Sequence, residues 1–408
     1  MSRYDLLVLG DKAEPGGDCT HYGCVPSKTL LDVAHRVAGA REAQQWGLGS
    51  VGDVDSTAVM RHVHDVIDRI SADESPAQLE AEGIDHVRGW ARLTAPDTLD
   101  VDGQVLRGSQ MVLATGAHAS IPPIDGLDAV PYLDNKSLFD LTEKPEHLLV
   151  MGGGAIGVEL AQAFSQLGSR VTLVEAADRI LTKEEPEAAA VLTTVLERSG
   201  VELGKQGQVV TDAYLRTSVE GVFAAGDCTT PLQFTHVGDE QGRLAAANAF
   251  ARGSVLPAAL GGMSAFDDSV VPWVTFTDPE VGRVGMTEQQ AYDAYGERAR
   301  VVVVRRDEMD RTRTSAHTDG YLKLIAGPRP VARHQLLDRV IGVTAVMPAG
   351  GEIAAMGALA MHTNMLVGRI AQVTAPYPTH ALGLRVAAAR LFGEFAGASW
   401  RPARGGAG

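Results

Sequence analysis

The chain has 408 residues, a length that suggests two or three domains with large cores. Hydrophobic residues at 45% and charged residues at 21% match an ordinary globular protein. No apolar run approaches the roughly 18 residues of a membrane span, and the opening Met1–Leu9 is too short for a signal peptide, so a cytoplasmic protein is expected. With 36 Lys and Arg against 51 Asp and Glu, the net charge is −15; such a surface repels phosphate backbones and argues against nucleic-acid binding.

The first apolar run, Leu6–Leu9, reads as a buried strand. It is followed by Gly16-Gly17-Asp18-Cys19-Thr20-His21-Tyr22-Gly23-Cys24-Val25-Pro26-Ser27-Lys28. The chain has 3 cysteines, too few for a secreted disulfide framework, and Cys19 and Cys24 are close together. Their spacing permits a small disulfide loop, with Gly23 easing the turn. Cys24 precedes a helical pattern over Ser27–Ala40, whose positive end favours a thiolate, and Lys28 adds charge one turn along. A low-pKa thiol beside an exposed partner opens and closes disulfides by exchange. A zinc site is the weaker reading, because it needs a second ligand pair and none occurs at suitable spacing. Inert buried thiols are a third.

Further runs at Met111–Ala114, Leu148–Met151, Val171–Val174 and Val222–Ala225 read as parallel strands, alternating with helical patterns such as Gly157–Leu167. That alternation predicts an α/β protein with open parallel sheets. The segment Gly152-Gly153-Gly154-Ala155-Ile156-Gly157 follows a strand and opens a helix, the G-x-G-x-x-G context of a dinucleotide site. Gly152 permits the turn, Gly154 lets backbone approach a pyrophosphate, and Gly157 lets helix pack on strand. The helix start offers free N–H groups to phosphates. Glu175 ends the next strand, where a ribose 2′-hydroxyl is bound; it favours NAD over NADP, with Arg179 nearby as the opposing signal. The bland alternative is a glycine-rich turn with a surface acid. From Val271 onward, strand patterns at Val301–Val304, Gly320–Ile325 and Val340–Val346 precede a helix over Ala349–Met361, which reads as an α+β module. The tail Arg401–Gly408 reads as disordered.

The cysteine segment resembles the class I pyridine nucleotide-disulfide oxidoreductases, closest to the mercuric reductase-like branch. Ala114-Thr115-Gly116, Gly152–Glu159, Thr217–Asp227 and Phe276–Glu288 match the family in order. The resemblance implies two Rossmann-like nucleotide-binding domains plus a C-terminal α+β dimerisation domain: residues 1–145 and 208–270 for FAD, 146–207 for NAD(P), 271–398 for dimerisation, with 399–408 as tail. It implies an FAD-dependent enzyme passing electrons from NAD(P)H through FAD to the Cys19–Cys24 disulfide and on to a disulfide, metal ion or other acceptor. Cys24 would be the thiol next to the flavin and Cys19 the one that meets the substrate. Lys28 would sit near the reactive flavin nitrogen, paired with Glu159. Asp227 would hold the ribitol, Thr115-Gly116 the phosphate side, and Asp18 belongs to the same cofactor set. His236 is expected at the flavin edge and Cys228 as a structural thiol. A homodimer would bring Tyr377 to the partner's cysteines.

The chain departs from the family in three places. Between Leu9-Gly10 and Gly16 there is no glycine motif, helix or second strand, although a βαβ unit takes roughly 30 residues. In the nicotinamide part only two strands lie between His147 and Gly207, where a mononucleotide-binding half has three. The chain is therefore either a longer protein lacking internal segments or a truncated relative. Third, Ala375-Pro376-Tyr377-Pro378-Thr379-His380-Ala381-Leu382 has Tyr377 and Leu382 where glutathione-type enzymes carry His and Glu, and neutral tyrosine is a poor base. His380 is a substitute base or an ordinary surface histidine. No terminal cysteine pair follows. The rival readings are a non-catalytic redox or nucleotide sensor and a dihydrolipoyl dehydrogenase-like enzyme.

Overall fold

The structure is a computed structural model. It describes residues 2–10, 15–117, 127–175, 179–198, 211–216, 222–226, 234–251, 262–315, 319–328, 338–395 and 397–405, and the single positions 119, 121, 124 and 229. Two compact units emerge: Met1–Leu30, Asp55–Glu143 and Gln206–Asp267 form the first, and Leu31–Val54, Lys144–Lys205 and Asp268–Gly408 the second.

The first unit opens with β1 (Ser2–Gly10), α1 (Gly17–His21) and α2 (Cys24–Glu42), the last running on into the second unit. Then come α3 (Ser56–Asp73), α4 (Pro76–Ala81), β2 (Ala91–Ala95), β3 (Thr98–Val101) and β4 (Gln104–Ala114). β1 lies parallel to β4 from Ser2↔Leu106 to Gly10↔Ala114. The sheet is mixed, not wholly parallel as expected. β3 pairs antiparallel with the first half of β4, and β2 with β3. The reason is local: two short strands joined by tight turns, with Asp102 and Gly103 both at positive φ, fold back as a meander. Leu7, Leu99, Val101, Leu106 and Met111 form the core there.

Along β1 the side chains alternate, Leu7 buried and Val8 63% exposed. Among the described residues no strand pairs with the far edge of β1. That edge is where the absent βαβ unit would continue the sheet.

The second unit resumes with β5 (His147–Met151), α5 (Ala155–Gln166), β6 (Arg170–Val174) and α6 (Pro186–Arg198). β5 and β6 form a parallel pair. α5 buries Val158, Ala161 and Phe164, while Leu149 (59%) and Met151 (45%) stay exposed on the strand. A parallel sheet is ordinarily covered on both faces; among the described residues this pair leaves Leu149 and Met151 uncovered.

The first unit is completed by β7 (Val222–Ala224), parallel to the second half of β4, and α7 (Thr235–Ala249). Asp227 and Cys228 lie outside the described residues.

The remainder of the second unit comprises β8 (Pro272–Thr275), β9 (Val281–Gly285), α8 (Glu288–Tyr295), β10 (Arg300–Arg305), α9 (Asp310–Arg313), β11 (Tyr321–Gly327), β12 (Arg339–Val346), α10 (Gly350–His362), α11 (Val367–Gln372), α12 (Ala381–Arg390) and β13 (Arg401–Pro402). Its antiparallel sheet runs β13-β10-β11-β12-β9-β8, and helices contribute Ile353, Ala360, Val367, Ile370, Leu384 and Ala388 to a core with Val302, Leu322, Leu324 and Val343. Gly282 lets α10 approach: a Cβ there would meet Gly350 O at 2.1 Å. The α+β expectation holds. The disordered tail does not: β13 pairs with β10, Ala403 is buried, and Arg401 is held by an ion pair to Glu288. The ion pair and strand bonds offset the low propensity of a Gly/Ala/Arg segment. Among the described residues no helix is long and apolar enough to cross a membrane.

Candidate functional site

Both paired cysteines are half-buried free thiols. Cys19 rides on the short α1, and Cys24 is the first residue of α2, whose first turn closes with Ser27 N donating to Gly23 O at 3.1 Å. The glycines before α1 are required rather than incidental. Gly16 and Gly17 have φ of +95° and +55°, and a Cβ on Gly16 would meet Glu74 Oε2 at 2.2 Å. Thr20 Oγ1 donates to Glu74 at 2.7 Å, tying α1 to α3. Asp18, on the same turn, accepts from Asn135 Nδ2 at 3.0 Å, with Lys136 Nζ 4.0 Å away.

The two thiols divide the proton unequally. Cys24 is lowered from 9.0 to about 6, chiefly by the hydrogen bond that Cys19 gives it, against the upward push of burial. Thr235 and the charge of Lys28 lower it further. Cys19 moves far up, first because its proton is committed to Cys24 and then because of burial. The pair therefore holds one proton, resident on Cys19. At pH 7 a thiol of pKa 6 is roughly 90% thiolate, against roughly 1% at pKa 9. Helix position puts the sulfur there, but the neighbouring thiol is the larger cause of its ionisation.

The residue missed from the sequence is Thr235. It opens α7, and its Oγ1 lies 2.8 Å from Cys24 Sγ, across 211 positions. His236, expected at the flavin edge, stacks on Phe234 with ring centroids 5.5 Å apart. Only the placing of the α7 start against the α2 start reveals Thr235; a hydroxyl in sequence carries no such signal. Thr235→Val should shift the pH midpoint of Cys24 alkylation upward from about 6 without reaching 9, since the Cys19 bond remains. Stopped-flow iodoacetamide labelling of the reduced protein measures it; an unmoved midpoint removes Thr235 from the site.

After β4, Thr115 is exposed and Gly116 takes φ +65°. Gly226, at the end of β7, donates its N–H to Gln241 Oε1 at 2.8 Å. Gly10, Gly116 and Gly226 thus mark the ends of three adjacent parallel strands, the edge at which open α/β sheets take ligands.

In the second unit, Gly152 has φ +117° and Gly154 has open space where a Cβ would be. A Cβ on Gly157 would meet Gly152 O at 1.8 Å. No side chain caps α5 at Gly154. Glu175 accepts from Gly153 N at 2.7 Å, so it both shapes the glycine loop and stands at its mouth. Arg179 is turned away: its guanidinium donates to the carbonyls of Leu181 (2.8 Å), Thr182 (2.9 Å) and Glu184 (3.0 Å).

Glu159 is buried at 4% exposure, and its Oε1 accepts from Phe276 N at 2.8 Å. One turn on, Gln162 pairs with both backbone groups of Asp278, at 2.9 and 3.1 Å. Lys28 belongs to the first unit and Glu159 to the second.

Tyr377 is 70% exposed, and its hydroxyl donates to Asp310 Oδ2 at 2.8 Å. That bond and the Asp310 charge push its pKa above the usual value, so it keeps its proton at neutral pH. His380 is half-buried, contrary to a surface position; burial, then Arg306 and Arg311, lower its pKa and keep the imidazole neutral.

A family model described as pyridine nucleotide-disulphide oxidoreductase matches residues 3–204 and 193–247. The dimerisation-domain model of the same description matches residues 271–388. Mercuric reductase of Bacillus cereus is 30% identical, covering 93% of this chain and 67% of that protein. Dihydrolipoyl dehydrogenase of Thermus scotoductus is 27% identical, covering 96% and 98%. These alignments run over 439 and 478 residues, more than the 408 of this chain, so each relative carries internal residues without counterpart here. Among solved structures, LpdA from Mycobacterium tuberculosis has a TM-score of 0.79 at 26% identity, covering 95% of this chain and 94% of its own. The HOCl-induced flavoprotein disulfide reductase RclA from Escherichia coli, at 0.79 and 23% with 95% and 99% covered, shares the fold.

Proposed function

Because the chain belongs to the pyridine nucleotide-disulphide oxidoreductase family, whose enzymes use FAD and NAD(P)H, we propose that it reduces a small-molecule disulfide through Cys19 and Cys24. The observation that carries this reading is the Cys24 thiolate held by Cys19 and Thr235. FAD, when bound, takes a hydride from NAD(P)H and supplies the electron pair that opens the cysteine disulfide.

In this reading Cys24, Lys28, Asp18, Thr115, Gly116 and Asp227 would hold the ring end of that cofactor; Thr115 and Gly116 follow β4, and Cys24 opens α2. The pyrophosphate end lacks its glycine loop and helix. Gly152, Gly154, Gly157 and Glu175 would hold the nicotinamide dinucleotide, with NAD preferred, since Glu175 faces the loop and Arg179 is committed elsewhere. Lys28 serves the ring end and Glu159 the nicotinamide half in this reading. The domains are 1–145 with 208–270, 146–207 and 271–398. The last forms a homodimer that sets Tyr377 opposite the partner's cysteines.

The reduced pair supplies its own base. The Cys19 proton passes to Cys24, and the Cys19 sulfur attacks one sulfur of the acceptor, forming a mixed disulfide and expelling a thiolate that takes the proton from Cys24. Cys24 then attacks Cys19, expelling the second acceptor thiolate and restoring the Cys19–Cys24 disulfide. No histidine in the place of Tyr377 is needed for this sequence, and the Tyr377 hydroxyl can hydrogen-bond a departing thiolate.

Anaerobic titration of the oxidised protein with NADH, followed by iodoacetamide, should newly label Cys19 and Cys24 in a protein that is yellow beforehand. The exposed Val8, Leu149 and Met151 favour one rival, a non-catalytic sensor built on incomplete nucleotide-binding halves. A colourless protein whose cysteines stay unlabelled would decide for it. Gly157→Ala should raise the NADH dissociation constant by about tenfold or more, because the added methyl displaces the loop from its helix. Fluorescence titration reads this directly, and unchanged affinity would move the nucleotide elsewhere.

A further inference from the structure

The second unit contains a cavity of about 380 Å³ that the cysteine chemistry does not use. The volume lies within the range of small-molecule sites. Val304, Met309, Leu382 and Val386 make the apolar part of its lining. The lining also carries five charged side chains, the buried Arg390 among them, and four cancel in pairs. Arg390 Nη2 lies 2.6 Å from Glu308 Oε2, and Arg313 Nη1 lies 3.3 Å from Asp310 Oδ1. Asp310 is further engaged by the Tyr377 hydroxyl. The fifth, Arg311, is exposed, and its guanidinium has no ion pair or hydrogen bond among the described residues.

The lining therefore joins apolar side chains to one guanidinium, Arg311, that has no counter-charge among the described residues. Water and chloride satisfy a guanidinium poorly compared with a planar carboxylate, which meets its fork with two parallel N–H···O bonds. An apolar lining in turn favours a flat hydrocarbon body.

We propose that this cavity seats the body of the electron acceptor and selects a small, flat, apolar molecule bearing an acidic group, which Arg311 holds. This rests on the reductase reading above, with Tyr377 at the acceptor side. Neither Arg311 nor the cavity figures among the sequence motifs, because an arginine on a four-residue helix looks like any surface cation.

The test compares two aromatic disulfides of similar shape. One is 5,5′-dithiobis(2-nitrobenzoate), with a carboxylate on each ring; the other is 4,4′-dithiodipyridine, uncharged. In NADH-dependent turnover by the full chain, Arg311→Ala should lower the ratio of kcat/KM for the charged over the neutral disulfide by about tenfold or more. The loss should fall in KM, with Arg311→Lys recovering part of it. Equilibrium titration with 4-nitrobenzoate, which cannot exchange disulfides, should weaken in parallel. An unchanged ratio overturns the proposal. If the unsubstituted protein turns over neither disulfide, the reductase reading has failed, and the nitrobenzoate titration alone then decides the cavity: binding lost in Arg311→Ala sustains it, binding unaltered or absent overturns it.

Discussion

Cys24→Ser is expected to lower NADH-dependent disulfide reduction by at least about a thousandfold while leaving the fold intact. A serine hydroxyl does not ionise near neutral pH, so the charge that the site stabilises is lost. Cys19 then keeps its proton, or titrates like an ordinary thiol, and has no partner with which to close a disulfide. The pH dependence carries the same signature. In the reduced native protein, alkylation of Cys24 should be half-maximal near pH 6 and fall about tenfold per unit below it. Cys19 should remain unreactive through the neutral range, because its proton is committed to its neighbour. In Cys24→Ser that restraint is gone, and Cys19 should become the more alkylatable residue above pH 8. Peptide mapping after timed labelling separates the two; first reaction at Cys19 in the native protein would reverse their assigned roles.

The second large effect is on stability. Lys323 on β11 is 1% exposed, with its Nζ 3.1 Å from Glu187, 3.2 Å from Glu288 and 3.4 Å from Glu185. Glu288 also binds Arg401, and it stays below the usual carboxylate range despite burial. Glu185 is pushed up by burial, with the Lys323 charge opposing. This cage ties the start of α6 to the antiparallel sheet, beside the buried Arg283–Glu184 pair. Lys323→Met should destabilise the second unit by about 3–5 kcal/mol, since it leaves the buried Glu185 without its counter-charge. Without the lysine, Glu185, already raised by burial, loses its opposing charge and rises further above its unfolded value, while Glu288 keeps Arg401. The penalty is then complete at neutral pH and fades as the pH falls through that raised value toward the unfolded one. Urea unfolding at pH 8 and pH 5 tests this, with Lys323→Met/Glu185→Gln expected to recover part of the loss at pH 8. Equal loss at both pH values would mean that packing, not charge, is what Lys323 provides.

The cysteine segment and the two nucleotide motifs were legible because each depends on local backbone. The turn before α1 takes its shape from Gly16 and Gly17, and a helix beginning at Cys24 needs no distant partner. The α5 loop follows from Gly152 and Gly157 in the same way. The gaps were legible too: the alignments with relatives run longer than this chain, and among the described residues no strand pairs with the far edge of β1 while Leu149 and Met151 stand exposed. The meander β2–β3 was not legible, because strands of five and four residues carry too little alternation to register.

What the amino-acid order determined by itself is the chemistry: two thiols at a helix start, a dinucleotide loop, and a sheet-and-helix module after residue 271. Periodicity and glycine placement act over a few residues, and so they survive in one dimension. The helix start and Lys28 already favoured the thiolate at Cys24; only the tertiary structure supplied its larger causes, the hydrogen bond from Cys19 and then Thr235 from 211 positions away. It likewise decided that Arg401 anchors the tail and that, among the described residues, Arg311 is the cavity-lining charge without a counter-charge. Electrostatic pairing is a matter of ångströms between atoms, and sequence distance carries no information about it.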